Sequence, residues 1–191
     1  MPLGPAWPRH PVVYEVNTWV WLGEVGARAG RRVGLGSVPA AEWDALARWG
    51  PDAVWLMGVW ERSPAGRRIA LSDDALVRSF RAALPDVDLE RDVPGSPYCV
   101  RRYTVDARLG GPEGLAAARA ELARRGIRLV LDLVPNHVAP DHPWVREHPT
   151  TSSAAPPRTR PAPRRSSWWW EAPRSRAAAT RTSRPGPTWS S

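Results

Sequence analysis

The sequence predicts an α/β fold built on a parallel sheet, and three observations predict it. Segments rich in β-branched, aromatic and aliphatic residues recur at 12–20, 53–57 and 127–134. Stretches with apolar residues at helical spacing lie between them. Proline, glycine or a capping side chain stands at the boundaries between the two kinds of segment. Strands alternating with helices imply parallel pairing through right-handed crossovers.

Taken in order, the first strand is expected over 12–20 (Val-Val-Tyr-Glu-Val-Asn-Thr-Trp-Val), entered through Pro11. A Gly/Arg-rich loop is expected over 23–36. Ser37 is placed to cap a helix with Pro39 in its first turn, and Trp43, Leu46 and Ala47 form its apolar face. Gly50 and Pro51 stop that helix. The second strand, 53–57, is continuously apolar, as expected of a strand covered on both faces. A long connection, 58–111, follows, with a short helix expected near 72–84 capped by Ser72. A further helix over 112–125 buries Leu115, Ala118 and Leu122 and ends at Gly126. The third strand is 127–134. This spacing fits a barrel or an open doubly wound sheet equally, but no Gly-x-Gly-x-x-Gly follows any strand, which weighs against dinucleotide binding.

Composition narrows the function classes. The formal charge of +8 looks like a nucleic-acid signature. Residues 1–149, however, carry 19 Arg against 18 acids, whereas 150–191 carry 8 Arg against Glu171 alone. The basic excess therefore belongs to the tail. Binding of single-stranded nucleic acid by tail Arg and Trp is the weaker alternative function, and a non-catalytic fragment is another. The single cysteine, Cys99, excludes an internal disulfide and suits a reducing compartment. No apolar run reaches the ~20 residues of a membrane span, so a cytoplasmic protein is expected. The tail lacks Leu, Ile, Val, Met and Phe, so disorder is expected over 150–191.

At Asp132-Leu-Val-Pro-Asn-His137 the chain resembles the first conserved region of the alpha-amylase superfamily of glycoside hydrolases. Gly95-Ser-Pro-Tyr98, Tyr103-Thr-Val-Asp106 and Leu109-Gly-Gly111 resemble that family's segment before its second helix. Residues 13–17 and 53–57 resemble its first two strands. The resemblance covers about 12–149. It implies the front part of a (β/α)8, or TIM, barrel of about 250 residues, whose sites are built from the C-terminal ends of strands. It further implies an α-glucan or α-glucoside substrate, with Tyr98 stacking on a glucose ring, His137 contacting it and Asp132 organising the site's hydrogen bonds. Asn136 is the fourth implied site residue; its counterpart supports a structural calcium in some members, and no cofactor is assigned here.

Each residue has a plainer reading. Asp132 reads equally as a strand-end turn carboxylate, His137 as a surface-loop histidine and Tyr98 as a packing residue. Glu15 is read as structural, Cys99 as an inert thiol and Arg101-Arg102 as a solvated pair. Trp43, Trp49 and Trp55 are read as core.

The family's nucleophile and acid/base, roughly 5–5.5 Å apart in retaining enzymes, lie on strands four and five. No strand four is recognisable and Glu171 matches no such motif, so no catalytic carboxylate is assigned and the chain is expected to be an inactive fragment. In a shifted reading frame, codons for 150–191 admit a family-like continuation. A frame error near Thr150, with 1–149 as the barrel part and 150–191 as an out-of-frame tail, is the expectation that follows.

Overall fold

The computed structural model describes residues 6–148. Strand β1 (Val13–Asn17) ends at Asn17, whose side chain accepts from the Val20 N–H at the start of helix α1 (Thr18–Ala29). This corrects two expectations, the strand continuing to residue 20 and the loop over 23–36. Trp19, Val20 and Trp21 favour strands, but Thr18, Leu22 and Val25 bury one helical face, and Gly30 closes the helix at φ 62°. Burial of that face outweighs local propensity.

A 3-10 turn (Leu35–Ser37) precedes helix α2 (Ala40–Ala47), which starts one residue after Pro39. The Ser37 hydroxyl bonds to Gly34 and does not cap α2. Trp43 and Leu46 are buried as expected. Trp49, read as core, is 74% exposed because it follows the end of the helix in the turn toward Pro51.

Strand β2 (Ala53–Met57) pairs with β1 in parallel, Val13 opposite Ala53 and Asn17 opposite Met57. The connection 58–111 contains an antiparallel ribbon that the sequence reading missed. It consists of β3 (Trp60–Arg62) and β4 (Val100–Val105). Helices α3 (Pro64–Leu71), α4 (Asp74–Ala83) and α5 (Leu89–Asp92) lie between the two strands in the chain. Ser63 caps α3, and Asp73, not Ser72, caps α4 by accepting from Ala75 and Leu76. Helix α6 (Gly111–Arg124) buries Ala118 and Leu122, with Leu115 packed beside them. Its Gly114 lies against Gly36, where an added Cβ on either would stand 3.2 Å from the opposing backbone, so a side chain there would push the two segments apart by a few tenths of an ångström.

Strand β5 (Arg128–Val130) pairs in parallel with the other edge of β2, giving the order β1-β2-β5. The three strands read from the sequence thus lie side by side and co-directional. The third is shorter than the expected 127–134, because the groups of Asp132 bond to Trp55, Gly58 and Trp60 instead of to a neighbouring strand. A short helix, α7 (Pro143–Glu147), follows.

One hydrophobic core joins β2 (Val54, Leu56) to α1, α2 and α6 through Leu22, Trp43 and Leu122. Truncating the fully buried Trp43 to Ala costs about 3–5 kcal/mol by the usual cavity cost. Residues 6–148 fall within one compact unit. Among them no helix is long and apolar enough to cross a membrane. The expectations for 150–191, including Glu171, disorder and the reading frame, lie outside the described residues.

Candidate functional site

The candidate site forms where the three parallel strands end. Trp55 stands opposite Val130, so the same register continued two residues brings Met57 level with Asp132. Asp132 is buried there and both of its carboxylate oxygens are held. Oδ1 accepts from the Trp55 indole N–H at 2.9 Å, and Oδ2 accepts from the Gly58 N–H at 2.6 Å. The Trp60 indole donates to the Asp132 carbonyl at 2.9 Å. Gly58 meets this requirement because its φ is +79°, and a Cβ there would stand 2.9 Å from Pro97 Cβ and 3.0 Å from Arg62 Nη2.

The β3–β4 ribbon holds the segment that follows β5. Tyr103 packs edge-on against Trp60, with ring centroids 5.4 Å apart, and its hydroxyl accepts from the Val134 N–H at 2.8 Å. The Ala139 N–H donates to the Val100 carbonyl. Asp141 accepts from the Ser63 hydroxyl at 2.5 Å and from the Ala65 N–H at 3.1 Å. Burial would raise the Asp141 carboxyl, but these two hydrogen bonds, together with its own backbone N–H and the charge of Arg101, hold the group below its ordinary value.

At the tip of this segment, the Asn136 amide donates to His137 Nδ1 at 2.9 Å, and His137 Nε2–H donates to the Tyr98 carbonyl at 3.0 Å. That assignment places the proton on Nε2. Tyr98 is itself 42% exposed. Its hydroxyl titrates above its ordinary value, first through burial and then through the negative charges of Asp132 and Glu15. Tyr98, Asn136 and His137 are therefore joined by hydrogen bonds, and Asp132 and Glu15 act on Tyr98 through space. Asn136 and His137 are exposed, and both imidazole nitrogens face protein partners.

Sequence reasoning missed the partners of Asp132, namely Trp55, Gly58 and Trp60. The available signal was a tryptophan in an apolar strand with a glycine just past the strand's end. Arg101 is not a solvated residue, since it pairs with Glu61 at 2.7 Å. Cys99 is a free thiol, and its sulfur would stand 2.6 Å from a Cβ at Gly66. A cavity of about 770 Å³ lies along α1 by Leu22, Gly26, Val33 and Leu109 and contains none of the four expected site residues.

Calcium takes six to eight oxygen ligands. Asp132 is committed to Trp55 and Gly58, and among the described residues no group of three or more acidic, His or Cys side chains could hold a metal.

Two comparisons bear on this arrangement. The trehalose synthase/amylase TreS of two Mycobacterium tuberculosis strains is 28% identical over 148 residues, which are 77% of this chain and 19% of each relative. An alpha-amylase from Lactobacillus plantarum shares the fold, with a TM-score of 0.50 and 21% identity over 73% of this chain and 26% of that one. Over the matched residues this chain is similar to enzymes of the alpha-amylase superfamily. It spans about a fifth of the length of the curated relatives it matches. No protein-family model matches it.

Proposed function

We propose that residues 12–148 form the first three β/α units of an incomplete (β/α)8 barrel and supply one wall of a site for an α-linked glucose ring. The observation that carries this is the fixed Asp132 at the end of β5, beside an aromatic residue and a histidine that share one hydrogen-bond chain. A pyranose offers an apolar face and a rim of hydroxyls. Tyr98 offers the ring surface, and Asn136 and His137 offer donors and acceptors. A sugar hydroxyl takes the place of Asn136 on His137 Nδ1, which frees the amide for a second hydroxyl.

The whole-protein activity in this reading is hydrolysis or transglycosylation at α-glucosidic linkages through a covalent glycosyl intermediate. Residues 6–148 bind and orient the ring. In this reading the nucleophile and acid/base are the carboxylates that the resemblance places on barrel strands four and five, while Asp132, with both oxygens bonded, serves to organise the site. A reducing, cytoplasmic setting suits the free thiol of Cys99.

Calorimetric titration of the 191-residue chain with maltotriose tests the reading. Saturable binding, weakened about tenfold or more in His137→Ala, is expected, with no reducing sugar released above background. Absence of binding, or binding indifferent to His137, would remove the sugar site. Robust turnover would overturn the division between binding and chemistry.

A further inference from the structure

A second cavity, of about 690 Å³, lies on the ribbon and is lined in part by Arg62, Arg67, Thr104, Asp106 and Arg108. It contains none of Tyr98, Asp132, Asn136 and His137. Its carboxylates are committed. Glu61 pairs with Arg101, Glu90 with Arg67, and Asp106 takes a forked pair of bonds from Arg108 at 2.7–3.3 Å. Arg62 is the exception. It is 7% exposed, its Nη1 donates to the Gly95 carbonyl, and its buried Nε–H has no acceptor. A buried donor left unmade costs about 1–3 kcal/mol, so such a group signals a missing partner.

The two arginines are also held close to each other. Arg62 and Arg108 lie over the same Trp19 indole, 5.3 and 4.8 Å from its centre. Asp106 answers Arg108, while the other carboxylate acting on Arg62, Asp132, is bonded to Trp55 and Gly58. Arg62 accordingly titrates down at about 10, through burial first and the charge of Arg108 second. Arg108 Nη1 donates to none of the described residues, and Thr104 is exposed at the cavity wall.

We propose that this cavity binds a tetrahedral oxyanion of the phosphate class, received by Arg62 and Arg108 with the Thr104 hydroxyl as a further donor. Guanidinium forks match phosphate oxygens, and an anion between two like charges relieves their repulsion. The cavity adjoins the Gly58–Asp132 anchor through Arg62 but shares no lining residue with the sugar wall, and its argument does not depend on that reading.

Calorimetric titration of the full chain with inorganic phosphate, at ionic strength held constant with sodium chloride, tests this. One-site saturable binding is expected, weakened about threefold in Thr104→Val and about tenfold or more in Arg62→Met. Because Arg62→Met alters a buried position and can unfold the chain, the wild-type protein supplies a second readout. Phosphate is expected to shift the Arg62 Nε–H resonance in a nitrogen–proton NMR spectrum. Phosphate binding no stronger than chloride, an unmoved Arg62 signal, or equal binding of acetate would each overturn the proposal.

Discussion

Asp132 and His137 lie five positions apart on one segment but are held in different ways. Asp132 is buried, and its carboxylate and its carbonyl are fixed by two indoles and a backbone N–H drawn from β2, the residue after it and β3. His137 is exposed, and its two bonds go to the adjacent Asn136 and to one backbone carbonyl. The first is an anchor whose geometry the core determines. The second is a tip that a ligand can rearrange at little cost, because water replaces what it gives up.

The largest effect on stability is expected at the anchor. Asp132→Ala strands the Trp55 indole and the Gly58 N–H and lowers unfolding free energy by about 2–4 kcal/mol. Urea denaturation of both proteins measures it, and a loss below 1 kcal/mol would erase the contrast with the tip. Gly58→Ala is next, at about 1–3 kcal/mol, because its φ of +79° strains any side chain and the added methyl meets Pro97. It is also expected to disturb the Gly95–Tyr98 segment, visible as altered fluorescence of the nearby tryptophans.

Asp106 sharpens the comparison as an intermediate case, a buried carboxylate whose partner Arg108 is half exposed. Burial alone would raise its pKa, but hydrogen bonds from the Arg108 side chain and backbone outweigh that and lower it. A depressed folded value means that its stabilisation is present above the unfolded carboxylate value of about 3.9 and is lost as pH falls through the lower folded value. Asp106→Asn is expected to cost about 1–2 kcal/mol at pH 7. Acid unfolding of this variant below pH 4 should be shallower than that of the wild type. The smallest effect belongs to the tip, where His137→Ala is expected to change stability by less than about 0.5 kcal/mol while weakening maltotriose binding. Melting curves and titrations on the same sample separate the two effects.

The parallel strands were legible because 53–57 is apolar throughout and 13–17 and 127–130 are rich in strand formers. Helix α6 was legible from one buried stripe and Gly126. Helix α1 was not, because Trp19, Val20 and Trp21 carry strand propensity and the capping Asn17 sits inside that run of strand formers. The ribbon was hidden because β3 has only three residues and pairs with β4 across three intervening helices. At the site, motif residues named Tyr98, Asp132, Asn136 and His137. The ties of Asp132 to Trp55 and Trp60 span more than seventy residues and leave no local pattern.

Nitrogen–proton NMR of the chain titrated with maltotriose tests the central claim most directly. The account predicts saturable shifts at the backbone or side-chain N–H groups of Tyr98, Asn136 and His137, with the Trp55 indole, fixed by Asp132, moving least among the site signals. Shifts confined to other regions, or a Trp55 indole that moves as far as His137, would contradict it.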